Sequence, residues 1–414
     1  MEKLTELPFN PKPSTLMHID INSCFATIEQ QANPHLRGKP IVVAAYDSPS
    51  GCILASSVEA KKLGIKTGMR VKDGKFLYPN LVVLTPDPPK YRDVHLKIRQ
   101  VLRTYTDIVE PRSIDEFVMN LEGFPSFEKG TWSIAKEIKE RIRNEIGEWI
   151  TVSIGIAPNR FLAKTASNLK KPDGLEEINL HNHKEIFSKL ALTDLCGIKR
   201  RTAARLATAG IYSVLDFYNA NIQKLKQAFQ SVCGYYWHLR LRGWEIDDVE
   251  FERKSFGNSF ALPKPFTSME ELAPILYKLV EKTSQRLREA NFKARGVHIA
   301  VNYKDGSFWH HGEVTKKELF DSRDIFKESF RVLCHSPYKK PVGILAESCF
   351  GLVPYGTSQL ELFEDISRKK RLVEALDDIN DRWGDFVITP ARLLLAKEYV
   401  HDRISFGGVK ELIG

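Results

Sequence analysis

IVEPRSIDEFVMNL, residues 108–121, is the stretch on which the fold turns. Its two halves, IVEPR and EFVMNL, read as short strands, with the acidic pair Asp115–Glu116 at the join between them. Working outward, a helix is expected from Pro88 to about Thr106, and another from Trp132 to Glu148, before the strand TVSIGIA at 151–157. Far upstream, TLMHIDI at 15–21 reads as one more buried strand, with Asp20 at its carboxyl end. Together these elements run β-α-β-β-α-β, the ferredoxin-like order.

Residues 30–80 interrupt that order after its first strand. Within them, strands are expected at 41–45, 52–55 and 81–84, and a short helix at 58–64. Asp20 and the Asp115–Glu116 pair then meet on neighbouring strands. Between Pro172 and Trp244 the pattern is mostly helical, with a compact unit, LCGIKRRTAARLATAGI, at 195–211. EIDDVEFERKS, residues 245–255, reads as a linker. Ser268 with Glu271 forms a capping box that opens an amphipathic helix to about Ala290. The strands GVHIAVNY and SFWHHGEV and a helix near 322–333 complete a separate α+β domain. From Gly356 onward the chain is polar around QLELF, with a helical run near 371–383 and neither repeats nor low-complexity segments.

A chain of 414 residues is long enough for several domains. Its 61 Lys and Arg against 52 acids, a net charge of +9, favour a polyanionic partner such as nucleic acid, although a mildly basic soluble protein has the same balance. Six scattered cysteines without a CxxC pair argue against a zinc site or disulfide framework and fit a reducing, cytoplasmic setting. The N-terminus lacks the apolar core of a signal peptide, and no apolar run approaches the ~18 residues of a membrane span, so no membrane association is expected.

An acidic pair in SIDE (113–116) plus a distant acid in HIDIN (18–22) is the donor set a two-metal phosphoryl-transfer site requires. Hard oxygen ligands bind Mg²⁺, and two ions about 3.5–4 Å apart stabilise the attacking and leaving oxygens. Adjacent carboxylates on a strand point to opposite faces, so Asp115 and Glu116 can act together only at a strand start or a bend, which Pro111 permits. Without ions, three close carboxylates would repel one another and raise their pKa values. Most Asp–Glu pairs, however, are merely solvated surface.

Several phrases, in order, resemble Y-family DNA polymerases: HIDINSCFATIEQ (18–30), GKPIVVAA (38–45), EAKKLGIKTGM (59–69), RSIDEF (112–117), TVSIGIAPNRFLAKTASNLKKPDG (151–174) and KSFGNSF (254–260). The resemblance covers about residues 14–390 and mixes polymerase IV-like features with those of the polymerase V catalytic subunit. It implies a ferredoxin-like palm (1–29 and 80–171), small fingers (30–79), a helical thumb (172–247), an α+β little finger (255–357) and a tail (358–414). It implies low-fidelity translesion synthesis, in DNA repair after damage and the SOS response, by attack of a primer 3′-hydroxyl on a deoxynucleoside triphosphate, with no proofreading.

By the same resemblance Asp20, Asp115, Glu116 and the Ile21 carbonyl bind two Mg²⁺ ions. Ser23, Cys24 and Phe25 lie at the nucleotide, Phe25 as the steric gate against a 2′-hydroxyl. Lys61 and Lys164 fall where the family places cations on the triphosphate. Without the family match, Phe25 would be read as a core aromatic and each lysine as solvated. The departures are Ser23 and Cys24 where aromatics are frequent, Val58 where a tyrosine is frequent, and Phe117 where alanine is usual. Val58 offers phosphate no hydroxyl.

GIKRRTAARL at 197–206 looks like a helix-hairpin-helix, whose Gly197, Lys199 and Arg200 would meet a DNA phosphate, although Lys199 stands where a second glycine is usual. A plain helical hairpin is the alternative. Residues 255–345 carry 15 Lys and Arg against 10 acids, which suits binding of primer-template DNA through its backbone. QLELF resembles the pentapeptide that binds the bacterial sliding clamp, through Gln359, Leu360, Leu362 and Phe363. Its alternative is a tail packed on the little finger. The expectation is a monomeric enzyme; the rivals are an inactive DNA-damage scaffold of the same family, against which the three carboxylates speak, and a nucleotide cyclase with a similar palm.

Overall fold

A computed structural model describes residues 7–249, 252–337, 339–355, 366–384 and 386–396. The described residues up to Val249 form one compact unit and those from 252 onward a second.

The first unit begins with β1 (Leu16–Ile21) and α1 (Cys24–Ala32), then β2 (Ile41–Ala44), β3 (Ile53–Ser56), α2 (Val58–Lys62), α3 (Val71–Leu77) and β4 (Val82–Leu84). It continues through α4 (Pro88–Arg103), β5 (Val109–Pro111), β6 (Glu116–Asn120), α5 (Thr131–Arg141), β7 (Val152–Ala157), α6 (Arg160–Leu169) and β8 (Leu175–Glu177). Five strands form one sheet in the order β5-β6-β1-β7-β8. Its first four strands pair antiparallel, which is the arrangement the ferredoxin-like order demands. β8, a short strand parallel to β7, was hidden by the helical character read for the residues after Pro172.

The sheet is buried on both faces, and period two sorts its residues. Met17, Ile19, Ile21, Phe117, Met119, Val152, Ile154 and Ile156 join one core with Phe25, Tyr91, Ile98 and Ile138 of α1, α4 and α5. Each such fully buried side chain contributes about 1.5–3 kcal/mol. The alternate residues face α6. α5 ends earlier than the expected Glu148, at Arg141, and passes into a wider π turn over Ile142–Ile146.

The chain from β2 to β4 makes a second sheet, β3-β2-β4, around its own small core of Val42, Ile53, Ala60, Ile65, Val71 and Leu81. α3 escaped the sequence reading because Gly74 interrupts it. That glycine packs closely, since a Cβ there would stand 2.9 Å from Leu81 Cδ2, whose side chain would have to shift. After β8 come α7 (His183–Lys189), α8 (Arg200–Thr208), α9 (Val214–Asn219), α10 (Ile222–Phe229) and α11 (Cys233–Leu241), packed around Phe187, Ile198, Leu206, Phe217 and Trp237.

The second unit comprises β9 (Ser255–Phe266), α12 (Met269–Glu289), β10 (Phe292–Tyr303), β11 (Phe308–Leu319), α13 (Ser322–Cys334), β12 (Val342–Phe350), β13 (Val353–Pro354) and α14 (Ile366–Trp383). Its main sheet has the order β11-β10-β12-β9. α12 and its Ser268 cap match the sequence reading. β9 and β12 were missed; Pro263 and Pro265 argue against a strand, and β9 tolerates them because it is the edge. α14 is tied to α12 by two 2.6 Å hydrogen bonds from Arg288 to Asp377. Among the described residues, no helix is long and apolar enough to cross a membrane.

Two features of this packing are open to direct test. α6 lies so close to β7 that a Cβ on Gly155 would sit 2.0 Å from the Ala163 carbonyl oxygen. Gly155→Ala should therefore displace α6 and lower stability by about 1–3 kcal/mol in urea unfolding; a neutral substitution would disprove that contact. Glu347 on β12 is fully buried, accepting a 3.3 Å bond from Cys349, and burial pushes its carboxyl up to about 7. The fold favours its neutral form, so this contribution is complete below the unfolded pKa, near 4.5, and is lost as pH rises through about 7. Urea unfolding should show a loss on the order of 3 kcal/mol between pH 5 and pH 8 that Glu347→Gln removes; an equal loss in the variant would refute the assignment.

Candidate active site

β1 and β6 pair in a register that sets Asp20 directly opposite Glu116. Opposed residues of an antiparallel pair share a face, so both carboxylates point to the α6 side. Asp115 lies one residue earlier, in the bend over 112–115, where it escapes strict alternation. The bend is closed on itself, with the Arg112 N–H donating to the Glu116 carbonyl at 2.9 Å. His95 Nδ1 lies 2.9 Å from the Ile114 carbonyl, and the Asp115 carbonyl accepts from the Ile21 N–H at 2.9 Å.

Cations sit against these carboxylates. Lys171 Nζ donates to Asp20 Oδ2, and Lys164 Nζ, from α6, to Glu116 Oε2, each at 2.6 Å. Ser113 Oγ donates to Asp115 Oδ1 at 2.5 Å. Burial pushes the carboxyl groups of Asp20 and Asp115 up, against the pull of Lys171 and of Ser113. Burial also works on Glu116, but the ammonium groups of Lys164, which donates to it, and Lys171 outweigh it and its carboxyl is held low.

His18 comes two residues before Asp20, hence on the same face, with Nε2 3.6 Å from Glu116 Oε2. Burial pushes it down to about 3, leaving a neutral imidazole whose Nε2 makes no hydrogen bond among the described residues. Among the described residues, His18, Asp20 and Glu116 are the group of three potential metal ligands whose donor atoms all lie within 4.8 Å. Asp115, the third acid of the sequence reading, is outside that group but lines the same cavity as Asp20. The oxygen donors fit a hard divalent cation, and the two ammonium groups on them show where positive charge is favoured.

The cavity, about 500 Å³, opens beside Asp20 and Asp115 and runs past Ile21, Ser23, Cys24, Val58 and Lys61. Burial, and then Lys171, pull the Lys61 ammonium down. Lys171 lines the cavity; Lys164, which the sequence reading placed on the nucleotide, is committed to Glu116 and does not. Phe25 is wholly buried in the core with its ring 4.4 Å from that of Tyr91, and does not line the cavity either. Asn22 ties the parts together: its Oδ1 accepts from the Asp173 N–H at 2.7 Å and its Nδ2 donates to Ser153 at 2.9 Å. The loop bearing Lys171 is thereby fixed to the end of β1.

The sequence reading missed His18, Asn22 and Lys171. Period two from Asp20 could have found the first; the others needed the fold. Elsewhere in this unit, Gly197 takes a φ of 88° in the turn before α8, Ile198 is buried, and Gly197, Lys199 and Arg200 are exposed. A single 3₁₀ turn, Leu192–Asp194, precedes that hairpin. Gln359, Leu360, Leu362 and Phe363 lie outside the described residues.

Two family models match the chain: the impB/mucB/samB family over residues 19–168, and the impB/mucB/samB family C-terminal domain over 253–362. DNA polymerase IV of Pelotomaculum thermopropionicum is 32% identical over 387 residues, spanning 91% of this chain and 96% of that protein. DNA polymerase IV of Moorella thermoacetica is 33% identical, covering 90% and 94%. Among solved structures, a Y-family DNA polymerase chimera built on Dbh aligns at TM-score 0.71 and 25% identity, over 82% of this chain and 99% of that one. DinB from Sulfolobus solfataricus shares the fold at TM-score 0.52 and 24% identity, over 81% and 98%.

The Lys164–Glu116 pair is only partly solvated, at 32% and 19% side-chain exposure. A double-mutant cycle with Lys164→Met and Glu116→Gln should report a coupling of about 1 kcal/mol in urea unfolding; strict additivity would mean that the pair does not form in solution.

Proposed function

Because the chain belongs to the impB/mucB/samB family, as both of its matched regions do, we infer that Asp20, Asp115 and Glu116 are the carboxylates of a polymerase active site. The protein is a Y-family, polymerase IV-like enzyme, a DNA-directed DNA polymerase of translesion synthesis that binds DNA and deoxynucleoside triphosphates and depends on divalent metal. The observation that carries the site assignment is the β1–β6 register, which brings acids nearly a hundred residues apart onto one face.

In this reading the metal is Mg²⁺, two ions that when bound activate the primer 3′-hydroxyl and neutralise the triphosphate. Asp20, Glu116, Asp115 and the Ile21 carbonyl hold them. Lys171 and Lys61, both on the cavity wall, would supply positive charge to the triphosphate, Lys171 by leaving Asp20. Lys164 balances Glu116. Ser23 and Cys24 border the nucleotide, and Phe25 would act as the gate against a 2′-hydroxyl by turning its ring from Tyr91 toward that wall. Val58 leaves the wall without a hydroxyl for phosphate.

The boundaries read from the sequence assign the ferredoxin-like sheet to the palm, residues 30–79 to the fingers, 172–247 to the thumb and 255–357 to the little finger. The exposed turn at Gly197, Lys199 and Arg200 would meet the DNA backbone. The segment 358–414, with QLELF, would bind the sliding clamp. We take the enzyme to be a cytoplasmic monomer without proofreading.

Asp115→Asn or Glu116→Gln should lower Mg²⁺-dependent primer extension by about 10²–10³-fold or more while primer-template binding by anisotropy is kept. Near-wild-type extension by either variant would overturn the assignment.

A further inference from the structure

The second unit holds a pair of histidines that the polymerase reading does not use. β10 and β11 pair antiparallel, with His298 opposite Gly312 and Ala300 opposite His310. The two histidines are therefore diagonal neighbours on one face, and it is the face turned from the core, since Val297, Ile299 and Val301 alternate with them and are wholly buried. His298 Nε2 lies 3.2 Å from His310 Nδ1.

Gly312 makes this approach possible: a Cβ there would stand 3.2 Å from His298 Cδ2, so the ring of His298 lies over a position with no side chain. Burial, and then the neighbouring His310 and His311, pull His298 down, so it is neutral at physiological pH and keeps a lone pair to give. His311 belongs to the other face of β11, beside Trp309. With metal–nitrogen bonds of about 2.0–2.1 Å, two ligands of a tetrahedral ion stand about 3.3–3.4 Å apart. The observed separation, a hydrogen-bond distance without the ion, is close to that spacing, and an ion would replace the shared proton with both rings turned toward it.

We propose that His298 and His310 form a two-histidine site for a borderline first-row transition metal ion such as Zn²⁺ or Ni²⁺, its remaining positions filled by water. Nitrogen donors select such ions over Mg²⁺ and Ca²⁺, which separates this site chemically from the carboxylate cluster of the first unit. A bound ion links β11, an edge strand, to the middle of its sheet and stabilises the second unit by mass action. The site does not depend on the polymerase assignment.

The test is titration of the full-length protein with Zn²⁺, and separately Ni²⁺, by calorimetry in excess Mg²⁺. We expect binding in the micromolar range, a higher melting temperature with the ion, and affinity weakened at least about tenfold by His298→Ala or His310→Ala but not by His311→Ala. Ion-free melting temperatures of the variants separate a lost ligand from a lost fold. No binding below millimolar Zn²⁺, binding insensitive to both substitutions, or an equal loss in His311→Ala would overturn the proposal.

Discussion

One strand register governs this molecule's chemistry: β1 against β6, with Asp20 opposite Glu116. A slip of a single residue would turn every side chain of β1 over, sending Asp20 into the core and Ile19 or Ile21 toward α6. The apolar residues forbid it, because Met17, Ile19 and Ile21 on one strand and Phe117 and Met119 on the other are all buried on the opposite face. The hydrophobic core thus aligns the carboxylates. The bend before β6 then supplies what a strand cannot, a second acid at the neighbouring position that still borders the same cavity.

Holding acids so close, partly out of water, is unfavourable unless positive charge offsets them. Here Lys171 and Lys164 do so, and their attachments differ. Lys164 comes from α6, which rests on the backbone at Gly155, and is fixed in place. Lys171 comes from a loop held by Asn22 and Ser153 and lines the open cavity, so it can change partner without disturbing the sheet. His18, neutral and buried behind Glu116, completes the wall without adding charge.

Much of this was legible in the sequence. The order of strands and helices around residues 108–121 identified the sheet, and the requirement that adjacent acids sit at a bend placed Asp115 before β6. The alternation of LMHIDI also held His18, but a histidine two residues from an acid carries no mark of burial until the covering helix is known. Lys171 and Asn22 act across gaps of about 150 residues, and only the folded loop brings them to β1. Lys164 was placed on the triphosphate by the family resemblance alone; that α6 also brings it to Glu116 needed the fold. β9 was obscured by prolines that an edge strand accepts, and α3 by a glycine packed against Leu81, Ile53 and Ile65.

The central claim is that Asp20, Asp115 and Glu116 converge on divalent cations. Anomalous diffraction from crystals grown with primer-template, a non-hydrolysable nucleotide and Mn²⁺ tests it most directly. The account predicts metal density bracketed by the three carboxylates, with Lys171 moved off Asp20. Metal density elsewhere, with both lysines still on their acids beside bound nucleotide, would contradict it.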